Sequence, residues 1–124
     1  MTKILVADDN PVSRELIVEA LDGSYELIEA SDGREAVDAL RRNLPPLALV
    51  DIQMPLLDGL GVAREVREDP ALCHIVLVAL TAYAMQGDRE RMLQGGFDAY
   101  ITKPVHIAGL RTQIQSLLAD HRVC

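Results

Sequence analysis

Leu47-Ala48-Leu49-Val50-Asp51-Ile52-Gln53-Met54-Pro55 opens with four apolar residues and turns abruptly to a carboxylate. A run this short and apolar, bounded by Asp51 and Pro55, reads as a strand covered on both faces. Two more segments share the form. Lys3 to Ala7 closes on Asp8 and Asp9, and Ile75 to Leu80 closes on Thr81. Shorter strand-like stretches lie at Tyr25 to Ala30 and Ala99 to Ile101.

Helical patterns separate them. Val12 to Leu21 places Leu16, Ile17, Ala20 and Leu21 on one face, and Arg34 to Arg42 turns Ala36, Val37 and Leu40 inward. Leu60 to Glu68, Gln86 to Gln94 and Ile107 to Leu118 complete the set. Punctuation agrees. Asn10 before Pro11, Asp32 with Glu35, and Asp58 before Gly59 are helix-start patterns, and Asp22-Gly23 is a helix stop. Ten alternating elements define an α/β domain with a parallel sheet and helices on both sides, joined by right-handed crossovers.

The chain has 124 residues, 49% of them apolar, which suits one domain over 1–124 with a single filled core. Its net charge of −7 argues against nucleic acid and anionic membrane as partners. No apolar run nears the roughly 18 residues of a membrane span, and the start lacks a signal-peptide pattern. Cys73 and Cys124 make no framework, and neither they nor His74 and His121 have zinc-like spacing, so a reduced, cytoplasmic chain is expected. The initial Met favours a standalone protein, although a piece of a hybrid kinase has the same look. No effector domain is expected after the last helix.

The polar residues carry the chemistry. Asp8 and Asp9 end the first strand, Asp51 the third, Thr81 the fourth, and Lys103 follows the fifth. Strand C-termini of a parallel sheet share one edge, so these five residues are expected in one cleft. Clustered carboxylates repel, and a hard divalent cation relieves the repulsion. Asp9 and Asp51 are the expected direct ligands, with Asp8 acting through water and the Gln53 backbone carbonyl completing the set. Magnesium fits, with manganese as a substitute. Phosphoryl transfer asks for positioning and charge stabilisation. Asp51 is the candidate nucleophile, Lys103 a point charge for one phosphoryl oxygen and the Thr81 hydroxyl a donor for another.

Taken singly, each feature has a plain structural reading. Asp8-Asp9 suits a solvated turn, Asp58 a helix cap, Lys103 a loop residue and Tyr100 edge-strand packing. Met54, Met85 and Met92 suit gap filling, and His74, His106 and His121 the surface.

Taken together, Val6-Ala7-Asp8-Asp9-Asn10, Asp51-Ile52-Gln53-Met54-Pro55-Leu56-Leu57-Asp58-Gly59, Leu80-Thr81-Ala82 and Tyr100-Ile101-Thr102-Lys103-Pro104 resemble the receiver domain of bacterial response regulators. The resemblance covers essentially the whole chain. The style of Asp51 to Pro55 and of Leu80 to Met85 is similar to single-domain regulators and hybrid-kinase receivers. It implies a flavodoxin-like (βα)5 fold of three layers, with strand order 2-1-3-4-5. It also implies a phosphorylation-activated switch of a two-component or phosphorelay system, rather than an enzyme acting on an external substrate. Asp51 is then the phosphoacceptor, Lys103-Pro104 a cis peptide, and Thr81 with Tyr100 the switch pair. A histidine kinase or histidine phosphotransfer protein is the donor. The surface of the fourth helix, fifth strand and fifth helix is the readout face, on a monomer or weak dimer.

By the same resemblance, small Ala82 leaves a path to Asp51, while Gln53 and Tyr83 tune phosphate lifetime. Val12, Val18, Pro104 and Val105 are a candidate docking surface, with scattered surface apolars as the alternative. Two rivals share the topology. An Asp-nucleophile phosphatase places its nucleophile after the first strand, within an Asp-x-Asp pattern that is missing here. A flavin carrier needs a phosphate-cradling loop where Asp8-Asp9-Asn10-Pro11 would repel the phosphate.

Overall fold

A computed structural model describes residues 1–82, 86–120 and 122–124. Strands β1 (Lys3–Ala7), β2 (Glu26–Ala30), β3 (Leu47–Asp51), β4 (Val76–Thr81) and β5 (Ala99–Thr102) alternate with five helices. These are α1 (Pro11–Leu21), α2 (Gly33–Asn43), α3 (Gly59–Glu68), α4 (Gln86–Gln94) and α5 (Ile107–Ala119). Every strand pair is parallel and the order is β2-β1-β3-β4-β5. The expected (βα)5 flavodoxin-like fold is therefore present, with element ends displaced by a residue or so.

The pleat explains why Ile4 to Ala7 of β1, Leu47 to Val50 of β3 and Val76 to Leu80 of β4 are apolar throughout. Alternate side chains go to opposite faces, and both faces are covered. Leu5, Ala7, Ala48, Val50, Leu77 and Ala79 pack with Val37, Leu40, Val62 and Val66 of α2 and α3. Ile4, Val6, Leu47, Leu49, Val78 and Leu80 pack with Ile17 and Leu21 of α1 and with Leu110 and Ile114 of α5. Each full burial of a large aliphatic side chain contributes about 1.5–3 kcal/mol. A polar residue in any of these three strands would thus meet a core on either side.

Caps place the helix starts. Asn10 Oδ1 accepts from Val12 N and Ser13 N at 3.0 and 3.2 Å. Asp58 Oδ1 accepts from Gly61 N at 2.8 Å, and Asp32 Oδ1 from Glu35 N at 2.8 Å. The Asp32 pattern is only half a capping box, because the Glu35 carboxylate accepts instead from the Ser31 hydroxyl. Between β3 and α3 the chain makes a tight three-residue turn. Leu57 N donates to Pro55 O at 2.8 Å, with Leu56 at φ +70°. Gly59 follows, and a Cβ there would lie 2.5 Å from Asp51 O, so α3 can start this close to β3 only with glycine.

Three sequence expectations are corrected. Leu16 faces outward and is 52% exposed, whereas Val18 is half-buried against the α1–α5 core. The inward arc of α1 is centred on Ile17 and Leu21, about one residue round from the expected one. Cys73 is buried despite its polar neighbours. Cys73 and Cys124 are joined in a disulfide, so the two cysteines do form a cross-link. They meet because α5 runs back from the site edge of the sheet to the opposite edge, where the α3–β4 connection lies. Expectations for Tyr83, Met85 and His121 lie outside the described residues.

Candidate functional site

Strand register assembles the site. Ala7 pairs with Val50, so the next residues, Asp8 and Asp51, emerge side by side. Asp51 pairs with Leu80, one residue before Thr81, and Thr81 pairs with Thr102, one residue before Lys103. Lys103 N donates to Thr81 O at 2.7 Å, which fixes the lysine's departure from the sheet. The Lys103-Pro104 peptide is cis, as expected.

Lys103 Nζ lies 2.7 Å from Asp51 Oδ2 and 2.9 Å from Asp8 Oδ2. Asp51 Oδ1 accepts from Gln53 N at 2.9 Å, and Asp8 Oδ1 from Asn10 N at 3.0 Å. Arg14 donates to the Asp8 carbonyl at 2.7 Å and pairs with Glu29, which braces the β1–α1 corner. Asp8, Asp51 and Thr81 are buried polar residues and Asp9 is exposed. A cleft of about 220 Å³ is bordered by Asp9, Asn10, Asp51, Ile52, Gln53, Thr81, Ala82 and Lys103. All five expected site residues thus converge, and the small, exposed Ala82 borders the cleft.

Electrostatics separate the two buried carboxylates. Burial pushes Asp51 upward, and the Lys103 ammonium and the Gln53 N–H only partly offset it, so its pKa stays raised. Burial acts the same way on Asp8. There it is outweighed by the Asn10 backbone N–H, the Lys103 ammonium and the neighbouring Ser13 and Asp51 side chains, so its pKa is lowered. Asp8 therefore keeps its charge while Asp51 takes up the proton more readily. Burial disfavours the Lys103 cation, but contact with both carboxylates more than compensates and raises its pKa.

The donor set fits a hard cation. Asp8, Asp9 and Asp51 each bring a carboxylate oxygen within 4.8 Å of the others. Asp8 Oδ2 is buried, and its approach to Lys103 is an ion-pair contact without hydrogen-bond alignment, so among the described residues it accepts no hydrogen bond. Oxygen ligands of this kind are what magnesium takes.

Tyr100 is half-buried on β5, and the Arg89 guanidinium of α4 stacks over its ring, 5.0 Å from the centroid. Sequence reasoning did not find Arg89. The polar α4 gives no periodic signal from which to choose one of its charged residues. Arg14 was missed likewise, because its partner is a backbone carbonyl.

A parallel 2-1-3-4-5 sheet with acidic residues, a threonine and a lysine at the ends of β1, β3, β4 and β5 defines a phosphoacceptor-type α/β domain. The family model for the response regulator receiver domain matches residues 4–115. The chain belongs to this family, and with it to the phosphorylation-activated signalling switches of two-component systems. Receiver domains of these systems take their phosphoryl groups from histidine kinases.

Among curated relatives, the polar-differentiation response regulator DivK of Brucella ovis is 41% identical over 122 residues, which is 97% of this chain and 99% of that protein. The receiver domain of a Pseudomonas aeruginosa sensor histidine kinase, solved with magnesium coordinated in its active-site cleft, is 35% identical. It superposes with a TM-score of 0.88 over 96% of this chain and 98% of its own. A response regulator from Chloroflexus aurantiacus superposes with a TM-score of 0.90 at 27% identity, over 96% and 98% of the two chains.

Proposed function

We propose that Asp51 is the phosphoacceptor, and that residues 1–124 act as one receiver unit whose partner surface changes when Asp51 is phosphorylated. The observation that carries this reading is the Lys103 ammonium between the Asp51 and Asp8 carboxylates, at 2.7 and 2.9 Å. A carboxylate oxygen of Asp51 attacks the phosphorus of a phosphohistidine. The phosphorus–nitrogen bond breaks, the imidazole leaves, and an acyl phosphate remains on Asp51. Lys103 then pairs with a phosphoryl oxygen instead of the free carboxylate, and the Thr81 hydroxyl binds a second. Magnesium, held by Asp9, Asp51 and the Gln53 carbonyl with Asp8 behind water, would neutralise charge on the phosphoryl oxygens.

Thr81 and Tyr100 form the switch pair. Movement of Thr81 toward the phosphoryl group frees space into which the Tyr100 ring turns, a population shift between two packings. The face of α4, β5 and α5 is the readout surface. The donor is a histidine kinase or a histidine phosphotransfer protein. It docks beside the cleft on Val12, Leu16, Pro104 and Val105, which with Asn10 and Ser13 line an apolar hollow of about 220 Å³. Leu16 takes the place given to Val18 from sequence. The chain acts on no external substrate, works in the cytoplasm, and is a monomer or weak dimer.

Mass spectrometry after incubation with acetyl phosphate and magnesium tests the reading. One phosphoryl group is expected on wild type and none on Asp51→Ala. A phosphorylated Asp51→Ala protein would overturn it.

A further inference from the structure

We propose that Cys73 and Cys124 are a reversible thiol–disulfide site that fastens the segment after α5 to the α3–β4 connection, at the end of the sheet opposite Asp51. Their Cα atoms are 5.4 Å apart, within the span a disulfide bridges without backbone movement.

The placement does not depend on the sulfur bond alone. Arg122, two residues before Cys124, pairs with Asp98 Oδ1 at 2.6 Å and donates to the Cys73 carbonyl at 3.1 Å. Asp98 Oδ2 is held by Arg67 at 2.8 Å and by Leu77 N at 2.9 Å. Arg67 also donates to the carbonyls of Cys73, Ile75 and Gly96. The Cys73 carbonyl thus receives two guanidinium groups, one from α3 and one from the segment after α5. These contacts hold the Cys124 segment against the α3–β4 connection by interactions other than the sulfur bond.

Access is asymmetric. Cys73 is 8% exposed and Cys124 is open to solvent. Cys124 is therefore the sulfur that meets a small-molecule disulfide such as oxidised glutathione. Its thiolate attacks that disulfide and expels one small thiolate. The Cys73 thiolate then displaces the second from the mixed disulfide. The two protons lost by the cysteines end on the two released thiols. An excess of small thiol runs the sequence backward. In a reducing compartment a pair of this kind is the transient, redox-sensing sort. Because α5 contributes to the proposed readout face, the site restrains that face independently of Asp51.

The test equilibrates the full chain across a series of reduced-to-oxidised glutathione ratios. Samples are quenched with acid, unfolded and alkylated, then read by intact mass and peptide mapping. Both cysteines are expected to become protected together, at one midpoint, in a monomer lighter by two hydrogens. Asp51→Ala is expected to give the same midpoint, since the site does not rest on the reading of Asp51. In Cys124→Ser, Cys73 is expected to stay alkylatable or to carry glutathione. Hydrogen exchange at Arg122 to Cys124 is expected to be several-fold slower in the oxidised protein. Glutathione adducts or intermolecular dimers in place of the internal bond, separate midpoints for the two cysteines, or equal exchange in the two states would overturn the proposal.

Discussion

Asp51 and Asp8 have the same side chain in adjoining places, yet their pKa values move in opposite directions, and this makes the site's pH response predictable. Asp51 is raised, so it holds its proton to higher pH than an ordinary aspartate. In that window the folded protein binds the proton more tightly than the unfolded chain, and this residue favours the metal-free fold as pH falls. Asp8 is lowered and acts the other way; its contribution is present above the ordinary range and is lost as pH drops through its folded value. A cation must displace the Asp51 proton, so magnesium affinity should decline on acidification, beginning where Asp51 titrates. At neutral pH, magnesium at about 100 times its Kd should add ~2.7 kcal/mol to stability. A thermal shift of several degrees is expected, shrinking steadily toward acid pH and much reduced in Asp8→Asn. A shift that is constant with pH would mean that Asp51 is not a ligand.

The same scale shows what a sequence can reveal. Asp8, Asp51, Thr81 and Lys103 are legible because each interrupts or follows an apolar run and the parallel topology sends all such positions to one edge. Arg14 and Arg89 are not legible, since a carbonyl partner and a ring partner leave no pattern in composition.

Among the elements, α1 has two tasks, and this explains why its inward arc was misjudged. Ile17 and Leu21 enter the core, while Val12 and Leu16 stay exposed on the next strip of the helix. A buried stripe and a docking stripe side by side blur the apolar period, so the boundary between Leu16 and Val18 cannot be read from hydrophobicity alone. The docking assignment has a selective consequence. Leu16→Glu lies on an exposed position and should change stability by less than about 0.5 kcal/mol. It should slow phosphotransfer from a phosphohistidine partner by about tenfold, equivalent to ~1.4 kcal/mol of lost contact. Phosphorylation by acetyl phosphate should be unchanged, because that donor needs only the cleft. Comparing initial rates with the two donors checks this. Equal slowing with both would place the defect in the site instead of the docking strip.

At the scale of the whole molecule, the sheet divides the chain into two ends with different chemistry. The C-terminal edge carries Asp51 and Lys103, and the N-terminal edge carries Asp98 between Arg67 and Arg122. Cysteine spacing did not suggest the cross-link, because the pairing depends on tertiary direction. Each helix of a parallel α/β sheet returns to the N-terminal edge, so whatever follows α5 is delivered beside the segment that precedes β4. The bond joins residues separated by 51 positions and encloses β4, α4, β5 and α5. In the chain-entropy account, closing a loop of this length restricts the unfolded chain and stabilises the fold by about 2–4 kcal/mol. The oxidised protein should therefore have an unfolding free energy larger by that amount and a higher urea midpoint than the reduced one. Cys124→Ser should match the reduced wild type and lose all dependence on reductant. The Arg122–Asp98 ion pair does not require the disulfide, so the native fold and the Asp51 cleft should remain after reduction, with acetyl phosphate labelling unchanged. Urea titrations of both proteins, with and without dithiothreitol, measure the difference. Coincident midpoints for oxidised and reduced wild type would show that the cross-link does not constrain the chain.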